Sequence, residues 1–306
     1  MEETLRKLNK YKVPFIDCKN ILWKENTEIT TEISKGVYRD NPVIIKNYNI
    51  YNYYQDSHFY EEAFTEIYNY SLIKECFHCC NLYGYSTLVQ GDKKEFLLIL
   101  QDYGVSDIFD YMNKYKYWTP FENKELTGYH YKNDGVYYSY TLEREEKMKI
   151  TSGICDAIEE LHNKNIVHSD LKLENMIYDS KENIVRLIDF GCSCYLKTDS
   201  YCYSDENMGT MGYMSEDISY GHITKRGDIY SLGVLLLELW LGDIWLKDIE
   251  EGTDESDSCY NEVMYGLTRL REIEPELSKI IKSCVSKEIK DRPFIKTVKR
   301  RVSKIK

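Results

Sequence analysis

The sequence predicts an α+β protein in which a smaller β-rich part precedes a larger helical part. Three strand-like apolar runs stand in the first third of the chain, at residues 27–33, 42–48 and 95–103. One helix is predicted among them, at residues 59–73, from the spacing of its apolar residues. Beyond about residue 105 the apolar residues repeat at helical spacing, so helices are expected to dominate the rest of the chain.

The helical part is predicted to surround one central helix. The run from Ile229 to Trp240 is apolar nearly all round, which is typical of a helix buried on every side. The segment 146–165 has a single apolar stripe instead, as expected for a helix with one solvated face. Further helices are predicted at residues 260–271, 276–285 and 294–306.

Composition and charge exclude several classes of protein. The formal charge of −11 argues against a nucleic-acid binder, which would carry a basic excess. We find neither an apolar stretch that could span a membrane nor a secretory signal, and we therefore expect a cytoplasmic protein with reduced cysteines. The Tyr-, Lys- and Asn-rich stretch 113–141 predicts a surface insertion, and the acidic stretch 248–258 predicts a solvated loop.

Four polar residues in two short motifs point to phosphoryl transfer, which requires held phosphates, a placed metal ion and an aimed hydroxyl. In "HSDLKLEN", Asp170 can accept or orient a hydroxyl proton, and Lys172 can stabilise charge on the transferring phosphate. Asn175 in the same motif and Asp189 in "LIDFG" are oxygen donors suited to Mg²⁺. The residues between the motifs predict two short strands joined by a turn at Asp179–Asn183.

These motifs resemble those of the protein kinase superfamily, and within it the tyrosine-kinase-like group. "HSDLKLEN" followed by "DFG" carries the resemblance, which extends from about residue 27 to the C-terminal residue. It implies a bilobal kinase fold with a leader at 1–25, a small β-rich N-lobe at 26–104 and a larger helical C-lobe at 105–306. It also implies ATP and Mg²⁺ as cofactors and a protein as the substrate or partner.

The resemblance assigns two charged residues of the N-terminal part to catalysis. "PVIIK" is similar to the strand that presents the phosphate-binding lysine, which gives that role to Lys46. Its carboxylate partner on the following helix would be Glu66, with Glu62 as the second choice.

The stretch "LILQDYGVSD" resembles the hinge that borders the nucleotide pocket of kinases. The resemblance implies that Gln101, Asp102 and Asp107 contact the nucleotide. Gln101 would guard the pocket, and Asp107 would lie near the ribose.

Later motifs resemble structural parts of the kinase C-lobe. "GTMGYMSE" is similar to the end of the activation segment, which implies that Glu216 pairs with Arg292 of "KDRPF". "RGDIYSLGVLLLEL" is similar to the central helix, which implies that Asp228 braces the catalytic loop. Lys172 is typical of serine/threonine kinases rather than tyrosine kinases.

The sequence departs from the kinase pattern in three places. "NTEITTEIS" (26–34), where a glycine-rich phosphate loop is expected, contains no glycine, and glycine is what lets a backbone approach phosphate closely. Ser169 replaces the arginine that usually binds a phosphate on the activation segment. "MSE" lacks the proline that normally precedes Glu216. Weak ATP binding and an altered substrate platform are the expected consequences.

A closer resemblance accommodates the degenerate loop. "KGVYRDNPVIIK" (35–46) is similar to the pseudokinase domain of the mixed lineage kinase domain-like family, which acts in necroptosis. Truncated poxviral relatives of that family act as decoys for receptor-interacting kinases, and the 29 tyrosines of this Asn- and Ile-rich chain suit such a source.

Two functions therefore stay open. The first is a serine/threonine kinase that binds Mg-ATP and transfers its γ-phosphate weakly, and it depends on the retained lysines, carboxylates and amide. The second is a decoy that binds a receptor-interacting protein kinase and blocks necroptotic signalling without catalysis, and it depends on the missing glycines, the "MSE" end and the similarity of "KGVYRDNPVIIK". We expect the first, because metal and base positions are the ones that catalysis can least lose.

Overall fold

A computed structural model describes residues 8, 11–23, 33–50, 56–90, 93–119, 137–140, 142–197, 201–204, 208–242 and 255–305. The chain divides into two compact units. The first contains residues 1–105 together with 188–193, and the second contains residues 106–187 and 194–306. Among the described residues, a sheet and one long helix make up most of the first unit and helices make up most of the second, so the predicted α+β class is confirmed.

The first unit is built on a five-stranded antiparallel sheet in the order β1-β2-β3-β5-β4. Its strands are β1 (Ile21–Trp23), β2 (Ile33–Tyr38), β3 (Asn41–Ile50), β4 (Leu82–Gln90) and β5 (Lys93–Gln101), and helix α1 (Asp56–Leu72) joins β3 to β4. β1 lies within the segment expected to be a leader, and β2 begins where the strand predicted at residues 27–33 would end. Of the glycine-free segment 26–34, only the last two residues lie among the described ones.

Alternation along β3 places Lys46 on the face of the sheet opposite to one apolar cluster. Val43 and Ile45 are fully buried, and they pack with Leu97 and Ile99 of β5 in that cluster. Because neighbouring residues of a strand point to opposite faces, Lys46 lies on the other side of the sheet and points away from the cluster.

The second unit begins with α2 (Ile108–Asn113) and the strand pair β6 (Lys116–Thr119) and β7 (Tyr137–Tyr140). These two strands lie within the predicted insertion 113–141, of which residues 120–136 and 141 are outside the described part. The remaining elements are α3 (Arg144–Asn163), β8 (Ile166–Val167), β9 (Met176–Asp179), β10 (Ile184–Leu187), β11 (Cys194–Tyr195), β12 (Tyr201–Tyr203), α4 (Glu216–Ser219), β13 (His222–Thr224), α5 (Lys225–Leu241), α6 (Glu255–Ile273), α7 (Pro275–Cys284) and α8 (Ile295–Val302). The short strands that follow α3 are paired as β8 with β11, β9 with β10, and β12 with β13.

Helix α5 is the centre of the second unit, as predicted. Every residue from Gly227 to Leu241 is buried, and α5 contacts α3, α6 and α7. Thr224 caps its first turn by accepting a hydrogen bond from the Gly227 amide. Gly242 ends it in the left-handed conformation at φ 84°, which glycine adopts without a steric penalty.

Several smaller predictions have a structural outcome. The turn between β9 and β10 spans the residues predicted for it, and among the described helices none is long and apolar enough to cross a membrane. The acidic stretch 248–258 lies outside the described residues up to 254 and continues into the first turn of α6. Cys194 of β11 and Cys202 of β12 are joined by a disulfide, which corrects the expectation that all cysteines are free thiols.

The buried arginine of the second unit pairs with a different carboxylate from the one expected. Arg292 Nη2 lies 2.7 Å from Asp217 Oδ1, and both side chains are nearly inaccessible. Glu216, the expected partner, is exposed at the start of α4. The arginine also donates to the backbone carbonyls of Ser286 and Lys287. This ion pair therefore anchors α4 to the segment that follows α7.

We expect Asp217→Asn to destabilise the fold by about 3 kcal/mol, because the buried Arg292 would keep its charge without its counter-charge. Chemical denaturation followed by circular dichroism measures the change. Glu216→Gln is the matched control, since it makes the same chemical change one residue earlier on an exposed side chain. A loss of stability from Glu216→Gln equal to that from Asp217→Asn would contradict the assignment.

Candidate active site

The first unit gathers three of the predicted residues around one ammonium group. Lys46 Nζ lies 3.0 Å from Glu66 Oε2 and 2.9 Å from Asp189 Oδ1. Glu66 is fully buried on α1, whereas Glu62, one helical turn earlier, is exposed. The lysine therefore pairs with the first-choice carboxylate rather than with the second.

The segment that carries Asp189 is fixed by the helix that carries Glu66. Asn69 lies three residues after Glu66 and donates from Nδ2 to the carbonyls of Phe190 and Ser193, at 2.9 and 2.8 Å. Tyr70 packs edge-to-face on the Phe190 ring. Asn69 was not among the predicted site residues, although its spacing from Glu66 places both on the same helical face.

The two carboxylates keep Lys46 charged. Burial lowers the pKa of the Lys46 ammonium, but Glu66 and Asp189 outweigh burial, so its pKa lies above the ordinary value. Burial also raises the pKa of the Glu66 carboxyl, which the nearby ammonium opposes. The arrangement supplies a fixed positive charge of the kind that holds phosphate oxygens.

The second unit gathers the other catalytic candidates around one carboxylate. Asn175 Nδ2 donates to Asp170 Oδ2 at 2.8 Å and to the Asp170 carbonyl at 2.9 Å. Thr210 Oγ1 donates to Asp170 Oδ1 at 2.7 Å, and it accepts from Lys172 Nζ at 2.7 Å. The same ammonium lies 3.4 Å from Asp170 Oδ2. Asp170 is thus held on both oxygens.

Thr210 is a site residue that was not predicted from the sequence. It lies 40 residues after Asp170, in "GTMGYMSE", and only the folded chain brings the two together. Its hydroxyl links the carboxylate to Lys172, so it orients both candidates at once. The signal available in the sequence was its place within the motif assigned to the activation segment.

Asp228 of α5 holds the backbone of the catalytic loop. Its carboxylate is fully buried and accepts hydrogen bonds from the amides of His168 and Ser169, each at 2.9 Å. His162 Nε2 lies 2.8 Å from the same carboxylate. The loop turns sharply here, with Ser169 in the left-handed region at φ 69°. The prediction that Asp228 braces the catalytic loop is confirmed, whereas the sequence gave no sign of the contact with His162.

The register of the sheet corrects the role expected of Gln101. Gln101 pairs with Val43 and its side chain accepts a hydrogen bond from Asn81. Lys46 pairs instead with Leu98, and directly paired residues point to the same face of a sheet. Gln101 therefore lies on the face opposite to Lys46, and the fully buried Leu98 is the β5 residue beside the lysine.

The carboxylates of the other two hinge candidates are engaged in bonds with the protein itself. Asp102 pairs with Lys35 at 3.1 Å and accepts from the Gly104 amide at 2.8 Å. Asp107 caps α2 by accepting from the Asp110 amide at 2.7 Å, and burial raises the pKa of its carboxyl. The two residues belong to different units.

Each unit offers a side-chain oxygen of the kind that magnesium prefers, Asp189 in the first and Asn175 in the second. Both amide hydrogens of Asn175 are committed to Asp170, which leaves its carbonyl oxygen as the atom suited to a metal. The Asp189 side chain is 43% exposed, so solvent and ions reach it. Amide and carboxylate oxygens are the ligands that Mg²⁺ prefers. Among the described residues no cluster of three or more His, Cys, Asp and Glu side chains marks another metal site.

Comparison with known proteins agrees with this geometry. The chain matches the protein kinase domain family over residues 41–302. It is 35% identical over 104 residues to serine/threonine-protein kinase PrkC of Bacillus subtilis, which covers 34% of this chain and 16% of that protein. It is 29% identical over 164 residues to serine/threonine-protein kinase ppk16 of Schizosaccharomyces pombe, which covers 53% of this chain and 24% of that protein.

A third relative is described as a dual serine/threonine and tyrosine protein kinase, from Takifugu rubripes. It is 26% identical over 156 residues, or 50% of this chain and 16% of that protein. In each case the matched part is less than a third of the relative's own length. Because the family match covers most of the sequence, the chain belongs to the protein kinase domain family.

We expect Asp228→Asn to lower stability by about 2–3 kcal/mol, because an amide group would replace an acceptor that buried N–H groups require. Urea denaturation measures the loss. Asp291→Asn, on an exposed side chain of the same unit, serves as the control and should change stability by less than about 0.5 kcal/mol. Equal stability of the two variants would show that the Asp228 bonds do not hold the loop.

Proposed function

We propose that the chain is a Mg-ATP-dependent protein kinase that phosphorylates serine or threonine hydroxyls. The observation that carries the proposal is the cluster of Asp170, Lys172, Asn175 and Thr210, in which every side chain bonds another member. Chance surface charges would have no reason to satisfy one another in this way, and the matched serine/threonine-protein kinases support the same reading.

The first unit would supply the groups that hold phosphate. Lys46, kept charged by Glu66 and Asp189, would bind phosphate oxygens of the nucleotide. Asp189 is the side chain of this unit suited to Mg²⁺, and the Asn175 oxygen is the one suited to it in the second unit; when bound, Mg²⁺ would neutralise charge on the phosphates.

The second unit would supply the group that aims the hydroxyl. Asp170 would accept the proton of the substrate hydroxyl. As it does so, the hydroxyl oxygen would form the new bond to the γ-phosphorus, and the bond from the γ-phosphorus to the leaving ADP would break. Lys172 would stabilise the negative charge on the phosphoryl oxygens. Thr210 fixes the direction of both groups before the substrate arrives.

The decoy remains the second candidate, because two features of the sequence favour it. The segment 26–34 has no glycine, and "KGVYRDNPVIIK" resembles a pseudokinase domain whose family includes decoys of receptor-interacting kinases. A decoy of this kind would bind its partner kinase in the cytoplasm and would not need Asp170. The two candidates therefore differ in their response to a change at that residue.

The deciding experiment is transfer of labelled phosphate from Mg-ATP to a generic protein substrate and to the chain itself. We expect weak transfer by the unaltered chain, and its loss in Asp170→Asn and Asp189→Asn, since these remove the proton acceptor and a magnesium ligand. Asp291→Asn should retain full activity. Absence of transfer at saturating ATP would favour the decoy, and full activity of Asp170→Asn would refute the catalytic assignment.

Thr210 offers a sharper test of the geometry. We expect Thr210→Val to lower the transfer rate roughly tenfold, because the isosteric change removes the hydroxyl that links Asp170 to Lys172. Thr210→Ser keeps a hydroxyl and should stay within about threefold of the unaltered rate. Phosphoamino-acid analysis of the product tests the preference for serine and threonine. Equal rates for the valine and serine variants would show that the hydroxyl plays no part.

A further inference from the structure

Tyr48 is a polar neighbour of the ion pair in the first unit. It lies two residues after Lys46 on β3, so both side chains point to the same face of the sheet. Its hydroxyl donates to Glu66 Oε2, the same oxygen that lies 3.0 Å from the lysine ammonium. That ammonium is also 5.3 Å from the centre of the Tyr48 ring. Tyr48 therefore contacts both members of the pair.

Few other donors contact the Glu66 carboxylate in the described part of the chain. The residue is fully buried, and its Oε1 atom has no hydrogen-bond partner among the described residues. The donors that the structure gives to its carboxylate, Lys46 and Tyr48, both contact Oε2. A buried carboxylate that loses one of two donors is poorly compensated, so the Tyr48 bond should count for more than an exposed hydrogen bond.

We propose that Tyr48 is a positioning residue whose hydroxyl holds the Glu66 carboxylate in the orientation that pairs with Lys46. The inference rests on the proposed nucleotide-binding function, because the lysine is the group that would contact phosphate. Tyr48 acts through Glu66 and is not itself a catalytic residue. Burial and the charge of Glu66 raise the pKa of the Tyr48 hydroxyl, so it stays a proton donor at neutral pH.

A double-mutant cycle tests whether Tyr48 acts through Glu66. The measured quantity is the Kd of a fluorescent ATP analogue with Mg²⁺, for Tyr48→Phe, Glu66→Gln and the double variant. Tyr48→Phe keeps the ring and removes the hydroxyl. We expect it to weaken binding roughly tenfold in the unaltered chain, and by less than about twofold when Glu66 is already glutamine.

Tyr85→Phe is the matched control. Tyr85 is a buried tyrosine of the same sheet, stacked on Phe96, and its hydroxyl makes no hydrogen bond within the part of the chain that the structure describes. The same loss of a hydroxyl should leave nucleotide affinity unchanged there. Thermal unfolding of all variants separates a positioning role from a structural one, because a purely structural role would lower the unfolding temperature without changing Kd.

The outcomes separate this proposal from the one on which it rests. An unaltered chain that binds no nucleotide would overturn the proposed function and the positioning role with it. Nucleotide binding that is unaffected by Tyr48→Phe, or equally weakened in both backgrounds, would overturn the Tyr48 proposal alone. Loss confined to the background that contains Glu66 supports it.

Discussion

The pairing of one buried carboxylate with nearby donors organises each unit of this chain. Glu66 in the first unit and Asp228 in the second are both fully inaccessible, and an unmatched charge at such depth would cost several kcal/mol. Each is instead the point where separate segments of the chain converge. Glu66 joins helix α1 to strand β3, and Asp228 joins helix α5 to the loop after β8. The bonds that these two carboxylates accept therefore also position the candidate catalytic groups.

This way of holding the catalytic loop explains why serine is acceptable at position 169. Asp228 bonds the amide hydrogens of His168 and Ser169, and a backbone amide is the same for any residue except proline. The loop geometry therefore does not depend on an arginine side chain. What the serine removes is a route by which a phosphate on the activation segment could act on the loop. The disulfide between Cys194 and Cys202 and the pairing of β12 with β13 are contacts that hold that segment without a phosphate.

Features that depend on periodicity along the chain could be predicted from the sequence, and those that depend on register or on distant contacts could not. The buried central helix, the two strands after the catalytic loop and the helix that carries Glu66 follow from local spacing. Gln101 was predicted to guard the pocket, but its pairing with Val43 places it on the face opposite to Lys46. A shift of one residue in register moves a side chain to the other face of a sheet, and the sequence does not reveal register.

The other misses also have physical causes. Asp217 and Glu216 are adjacent acidic residues at the start of a short helix, and only the rotation of that helix decides which of them meets Arg292. Thr210 meets Asp170 across 40 residues of chain, a contact that no local pattern contains. Asn69 is a borderline case, since its helical spacing from Glu66 was visible but its acceptors were not.

The polar clusters argue for chemistry because stability alone does not require them. Replacing a buried ion pair with apolar residues of similar volume is often neutral or stabilising, so a chain kept only for its shape has no need to retain Lys46 and Glu66 together. The same holds for the linked side chains around Asp170, which tie up a carboxylate, an amide and a hydroxyl in fixed directions. A decoy would keep the helices and the sheet, and it could replace both partners of such a bond with apolar residues at little cost in stability. Their joint presence, despite the glycine-free loop, supports the proposal of a weakly active kinase over that of a decoy.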